Sequence, residues 1–262
     1  MRAIPRGLVD CHAHMVDDRF DGDRAAVLER AKSAGIAAVI AVGETLSEAQ
    51  RTLELAREHE ALLPCAGLYP TFLDLNEAAE MEKLIHENLD TLVGIGEVGL
   101  DHWKVKDDGA REIQLEIFTR FIHLSLELDL PLNVHSRSAG KHVIRTLLGE
   151  GAKRVQLHAF DGKASSALPA LDAGYFFSIP ASIVRSRQKQ KLVRRLPLSC
   201  LLLETDSPVL GPEPGKRNEP ANLLIALRTV AELKEVPAEE VAEAVSKNFR
   251  RLYGFLPGGA GS

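Results

Sequence analysis

The sequence predicts an α/β fold, a single (β/α)₈ TIM barrel, from three observations. Eight short apolar runs recur along the 262 residues, segments with helical spacing lie between them, and five of the runs end in side chains able to ligate a metal. The runs are continuously apolar rather than alternating, which suits a parallel sheet covered on both faces. Regular alternation of strand and helix implies right-handed crossover units, and eight of these close into a barrel of about 250 residues. An open doubly wound sheet fits less well, because no glycine-rich phosphate fingerprint follows the first run.

The first run, Leu8 to Asp10, leads directly into "CHAH". The next three are Ala37 to Val42, Leu62 to Ala66 and Val93 to Glu97. Leu132 to His135, Val155 to His158, Tyr175 to Ile179 and Leu201 to Glu204 complete the set. Among the intervening segments, "SEAQRTLELAREHE" turns Leu53 and Ala56 inward behind a cap at Ser47. "REIQLEIFTRFIHLSLELDL" places Ile113, Ile117, Phe121 and Leu128 on one side. "KHVIRTLLGEG" groups Val143 and Ile144 with Leu147 and Leu148 before Gly151. "KVKDDGAREI" reads as a surface loop and "LPGGAGS" as a flexible tail, so one domain spans residues 1–255 and the tail 256–262.

Composition narrows the function classes. With 45% hydrophobic and 26% charged residues the chain is an ordinary globular one, and a net charge of -5 excludes binding a polyanion through the global field. A nucleic-acid substrate must then be held by local positive charge or by metal ions. The three cysteines, Cys11, Cys65 and Cys200, are far apart in apolar segments and read as reduced, buried thiols. No stretch reads as a signal peptide or a membrane span, so the expected location is the cytoplasm, with the nucleus also open.

Residues two apart on a strand point to the same side. His12 and His14 therefore face one point together, with Cys11 turned away. Four later strands repeat the theme: "VGIGEVGLD" presents Glu97, "LNVHSRSAG" His135, "VQLHAFDG" His158 and "LLLETDSP" Asp206. All would ring the C-terminal mouth of a barrel, the end that carries its chemistry. Four imidazoles and two carboxylates exceed the needs of one tetrahedral ion and point to two divalent metals, with Glu97 as the bridge. Zinc or manganese suits so many histidines better than magnesium. Paired metals activate a water and clamp both oxygens of a displacement, which makes hydrolysis the expected reaction.

Assembled in order, "DCHAH", "GEVGLD", "NVHSRSAG", "LHAFDG", "ETDSP" and "RNEPAN" resemble the TatD family of metal-dependent deoxyribonucleases, within the amidohydrolase-type barrels, and most of all its branch of the TatD-domain-containing protein three type. The resemblance covers nearly the whole chain. It implies that His12, His14 and Asp206 hold one metal, His135 and His158 the other, and Glu97 both, with Glu97 and Asp206 catalytic. One position departs: the family's Gly-x-His-Pro reads "GLYP" here, with Tyr69 in the histidine's place. Tyrosine keeps a hydrogen-bond donor on the substrate side but carries no positive charge near neutral pH.

Other residues are candidates of a second rank. Asp10 lies behind the histidine pair and reads as a supporting carboxylate, and Glu204, on the strand face of Asp206, either orients a ligand or is purely structural. "SIVRSRQKQKLVRRL" concentrates Arg185, Arg187, Lys189, Lys191, Arg194 and Arg195 after the seventh strand. Arg185 is the substrate candidate there, and from Lys189 onward the run reads as a solvated helix face. Arg137, Arg217 and Asn218 are placed to bind phosphate oxygens. His102 is near enough to act as a proton donor, Trp103 either stacks on a base or packs, and His59, His86 and His123 read as surface residues.

The expected activity is a two-metal phosphodiesterase cutting DNA, on single-stranded ends, by attack of metal-activated hydroxide on phosphorus with Asp206 helping to take the proton. Two alternatives stay open: hydrolysis of an amide, lactone or ester, including release of an amino acid from tRNA, on the same barrel, and a non-enzymatic binding protein that retains the fold. No membrane or obligate protein partner is implied.

Overall fold

The apolar runs become strands and the segments between them become helices. The structure, a computed structural model, describes residues 7–257, so residues 258–262 of the expected tail lie outside the described residues. The first half of the chain alternates β1 (Leu8–Ala13), α1 (Arg24–Ser33), β2 (Ile36–Ala41), α2 (Leu46–Glu58), β3 (Leu62–Ala66), α3 (Leu75–Glu87), β4 (Gly94–Gly99) and α4 (Asp108–Leu128). The second half continues with β5 (Leu132–His135), α5 (Gly140–Gly149), β6 (Val155–Leu157), α6 (Leu168–Asp172), β7 (Phe176–Pro180), α7 (Arg187–Arg195) and β8 (Leu201–Glu204). Two helices, α8 (Leu223–Lys234) and α9 (Ala238–Tyr253), complete it.

The eight strands pair in chain order, each parallel to the next. The seam between β8 and β1 is thinly laddered: one bridge joins Ala13 to Ser207. Around it the Asp206 N–H donates to the His12 carbonyl at 2.9 Å and the His14 N–H to the Ser207 carbonyl at 2.7 Å. Below these bonds a side chain takes over. Asp10, fully buried, accepts from the Thr205 N–H at 2.8 Å and from the Thr205 hydroxyl at 2.5 Å. The supporting carboxylate of the sequence reading is thus a stitch in the barrel.

Apolar packing fills two places. The larger cluster runs between strands and helices, with Val39, Ile95, Val134, Leu157 and Leu203 against Phe118, Phe121, Val143 and Leu227. A smaller one links Val9, Cys11, Ile40, Cys65 and Leu202 to Phe249, Leu252 and Tyr253 of α9. All three cysteines are free and buried.

Local details depart from the sequence reading at three places. The cap of α2 is Thr45, whose hydroxyl accepts from the Glu48 N–H, because the helix starts one residue before Ser47. The stretch read as a loop after β4 already contains the start of α4, capped by Asp107, which accepts from Ala110 N–H at 3.0 Å. Leu148 is exposed while Val143, Ile144 and Leu147 of α5 are buried, since at 3.6 residues per turn those three share an arc of about 100° and Leu148 falls beyond its edge.

Candidate metal centre

Each of the six expected ligands sits at the C-terminal end of its strand or one or two residues beyond it, so the parallel arrangement delivers them to one mouth. Asp206 is held there by backbone geometry as well. Its φ is 56°, in the left-handed region that aspartate tolerates better than most side chains.

The convergence is close. His12 Nε2 and His14 Nε2 are 3.3 Å apart, Glu97 Oε2 lies 3.5 and 3.4 Å from them, and Asp206 Oδ1 also lies 3.5 and 3.4 Å from them. Donor atoms bonded to one tetrahedral zinc lie about 3.4 Å from one another, the spacing of these five pairs. Glu97 Oε2 and Asp206 Oδ1 are also buried without any hydrogen-bond partner. Two orphaned carboxylate oxygens facing two imidazole nitrogens fit a cation that completes them.

The other oxygen of Glu97 faces a second group. Oε1 lies 2.6 Å from His135 Nδ1 and 3.7 Å from His158 Nε2, and Asp206 Oδ2 is 3.9 Å from the same His158 nitrogen. The ligand atoms of Glu97, His135 and His158 are near enough to one another to hold an ion, as are those of His12, His14 and Glu97. His12, His158 and Glu204 form a third such group, in which the two imidazoles stack at 3.6 Å.

Electrostatics report the same demand for positive charge. Burial works against protonation of His14, but the Asp206 and Glu97 carboxylates outweigh it and raise its pKa to about 9. Burial likewise opposes a charge on His135, which Glu97 and Asp101 push up to about 9. Burial disfavours the Glu97 anion, yet His12 and His135 hold its carboxyl well below the ordinary range.

A polar layer beneath the ligands fixes their orientation. Asn133 Oδ1 lies 2.9 Å from His12 Nδ1, and its amide donates to the Cys11 carbonyl at 3.1 Å. Gln156 donates to the Cys11 carbonyl and to Ser178 Oγ, both at 2.9 Å, and Ser178 donates to Glu204 at 2.5 Å. Glu204 in turn lies 2.9 Å from His158 Nδ1 and accepts from the Ala159 N–H at 3.0 Å. Of the two readings of Glu204, orientation of a histidine is the one the contacts match. Burial pushes its carboxyl up to about 8. Asp101 Oδ2 lies 3.2 Å from His135 Nε2. The sequence reading did not single out Asn133, Gln156, Ser178 or Asp101.

Close backbone approach protects this layer. A Cβ at Gly96 would lie 2.6 Å from the Asn133 Cβ, so the residue before Glu97 has no room for a side chain. Replacing the amide itself is the cleaner probe. Asn133→Ala frees the His12 ring and is expected to weaken metal affinity by about 10–100-fold, read by competition with a chromophoric chelator, and to lower the melting temperature by a few degrees because the buried His12 nitrogen loses its partner.

The mouth opens into a cleft of about 390 Å³ whose walls include Glu44, Tyr69, Arg137, Asp161, Lys189 and Leu210. Tyr69 is half-buried, packs edge-on against His135 and donates to Asp101 at 3.4 Å. Arg137 lies over the Trp103 ring at 3.9 Å, and Trp103 is 50% exposed.

Other expected substrate contacts lie away from the cleft wall. Asn218 is fully buried and spends its amide on the Thr205 and Val209 carbonyls, holding the loop after β8. Arg217 is drawn away by Asp23, with two contacts of 2.7 Å. Arg185 donates to the Gly211 carbonyl at 3.3 and 3.2 Å and does not line the cleft. Lys189, read as solvated, does line it. His102 packs beside His142 at 4.8 Å, outside the cleft wall.

The sequence profile described as TatD related DNase matches residues 9–254. The chain belongs to the TatD DNase family. It is 44% identical to deoxyribonuclease TATDN3 of Homo sapiens, over 97% of this chain and 97% of that protein. It is 34% identical to the metal-dependent hydrolase YabD of Bacillus subtilis, over 94% and 98% of the two chains. Among solved structures, YJJV of Escherichia coli, a TatD homologue, matches with a TM-score of 0.87 at 27% identity, covering 95% of this chain and 98% of that one. An organophosphorus hydrolase of Deinococcus radiodurans matches with a TM-score of 0.61 at 14% identity, over 95% and 93%, which shows the shared barrel alone. This TatD-family chain is thus a metal-dependent hydrolase with a cluster of histidine and glutamate groups able to bind metal. Among the described residues no helix is long and apolar enough to cross a membrane.

Proposed function

We propose that the chain is a two-metal phosphodiesterase that degrades DNA from single-stranded ends. The observation that carries this reading is the pair of orphaned oxygens, Glu97 Oε2 and Asp206 Oδ1, buried within 3.5 Å of the His12 and His14 nitrogens. In this reading His12, His14 and Asp206 would hold one cation, His135 and His158 the other, and Glu97 would contribute to both. The deoxyribonuclease name of the human relative supports DNA as the substrate.

When bound, such cations activate the water that attacks phosphorus and offset the charge developing on the phosphoryl oxygens. The protein's residues do the rest. Asp206, which lines the cleft, would take a proton from the attacking water through Oδ2, the oxygen on the His158 side. Glu204 and Asn133 keep the His158 and His12 rings in one tautomer and one direction. Arg137, stacked on Trp103 at the rim, presents a guanidinium to a phosphate oxygen. The cleft's volume suits a nucleotide-sized unit and not a duplex, which supports action on a single strand.

The test compares end-labelled single-stranded and duplex oligonucleotides with bis-p-nitrophenyl phosphate and with lactone and aminoacyl-ester panels, using metal-loaded protein. Stepwise shortening of the single strand is expected, lowered about a thousandfold in Asp206→Asn. Turnover of an ester or lactone with no cleavage of DNA would contradict the proposal.

A further inference from the structure

The cleft is rich in negative charge, with Glu44, Glu97, Asp161 and Asp206 on its walls. The lysine and arginine side chains that line it are Arg137 and Lys189. Arg137 is exposed and stacks on the Trp103 ring, which leaves its N–H edge for a phosphate oxygen at the rim. Lys189 is different. It belongs to the first turn of α7, where the Ser186 hydroxyl accepts its backbone N–H at 3.3 Å. Its Nζ donates to the carbonyl of Ala159, the residue after His158, at 2.8 Å.

An ammonium has three N–H groups, and this bond uses one. Among the described residues Nζ has no other hydrogen bond and no ion pair, so two donors remain on a side chain that lines the cleft. The tether to Ala159 has already removed most of the rotamer freedom that a lysine would lose on binding a ligand. The rest of the basic run shares none of this: Arg187, Lys191, Arg194 and Arg195 are exposed, while Leu192 and Val193 anchor the helix.

We propose that Lys189 binds the substrate phosphate, its two unused N–H groups holding non-bridging oxygens of the phosphodiester beside His158 and Asp206. For the class of substrate this rests on the nuclease reading above. A lysine serves here as a point charge, with no demand for the planar geometry of a guanidinium. The competing role is structural, with the ammonium merely pinning Ala159, whose φ is 38°.

Salt dependence separates the two. With metal-loaded full-length protein and a labelled single-stranded oligonucleotide, Lys189→Met is expected to raise KM by roughly tenfold or more and to leave kcat nearly unchanged. The plot of log kcat/KM against log salt becomes shallower by about 0.7, the contribution of one phosphate contact on a single strand. Lys189→Arg restores both quantities, and Lys191→Ala behaves as wild type. A lowered kcat with the wild-type salt slope, not rescued by Lys189→Arg, assigns Lys189 to structure and overturns the proposal. If Lys189→Met does not fold, Lys189→Gln takes its place, and a wild-type slope there overturns it equally. If wild-type protein cleaves no DNA, the nuclease reading fails by itself, and calorimetry with inorganic phosphate decides about Lys189. Weaker phosphate binding by Lys189→Met then supports the proposal, and equal binding overturns it.

Discussion

Glu97→Ala protein is expected to retain less than one divalent ion per chain and to cleave oligonucleotides about a thousandfold more slowly than wild type, or worse. The reason lies in what the carboxylate touches. One oxygen faces His12 and His14, the other faces His135 and His158, so its loss removes charge from both groups at once. Asp206 then remains as the one carboxylate of the expected ligand set. The fold is expected to survive, because no backbone N–H of the barrel depends on this side chain, and far-UV circular dichroism checks that. Elemental analysis after dialysis, run beside the activity assay, reads the effect. Full metal content and full activity in Glu97→Ala would remove Glu97 from the centre of the account.

Asp10→Ala is expected to act on stability first. Its carboxylate accepts from the Thr205 N–H and hydroxyl across the seam where β1 and β8 share one bridge, and truncation leaves both donors buried without a partner. Each donor left unpaired in the interior costs about 1–3 kcal/mol, so losing the partner of both lowers the melting temperature of a chain of this size by roughly 10 °C. Thermal unfolding of the two proteins at equal metal content measures it. Activity follows, because Asp206 and His12 are bonded to each other through their backbones one step above the broken stitch. A melting temperature within a degree or two of wild type would show that the seam does not need the side chain.

The convergence of the six expected side chains was legible in the sequence because a parallel barrel gathers strand ends, so the order of motifs is also their arrangement in space. The layer beneath was legible in principle. Asp10, Asn133, Gln156 and Glu204 each precede a candidate ligand by two residues, and the two-residue period of a strand places each on its ligand's face. The partners were not, since Asn133 orients His12 of another strand and not its own neighbour His135. Loop side chains were the least readable. Arg217 finds Asp23, 194 positions away, and Asn218 turns inward to satisfy carbonyls of its own loop. Lys189 was misread because helical spacing ranks faces only once the helix direction is known, and the cap at Ser186 sets that direction.

The central claim is that two cations share Glu97 at the mouth of the barrel, and anomalous diffraction from crystals grown with manganese or zinc tests it most directly. The account predicts two peaks about 3.5–4 Å apart, one among the His12, His14 and Asp206 side chains, the other between His135 and His158, with Glu97 reaching both. A lone peak, or peaks away from Glu97, would contradict it.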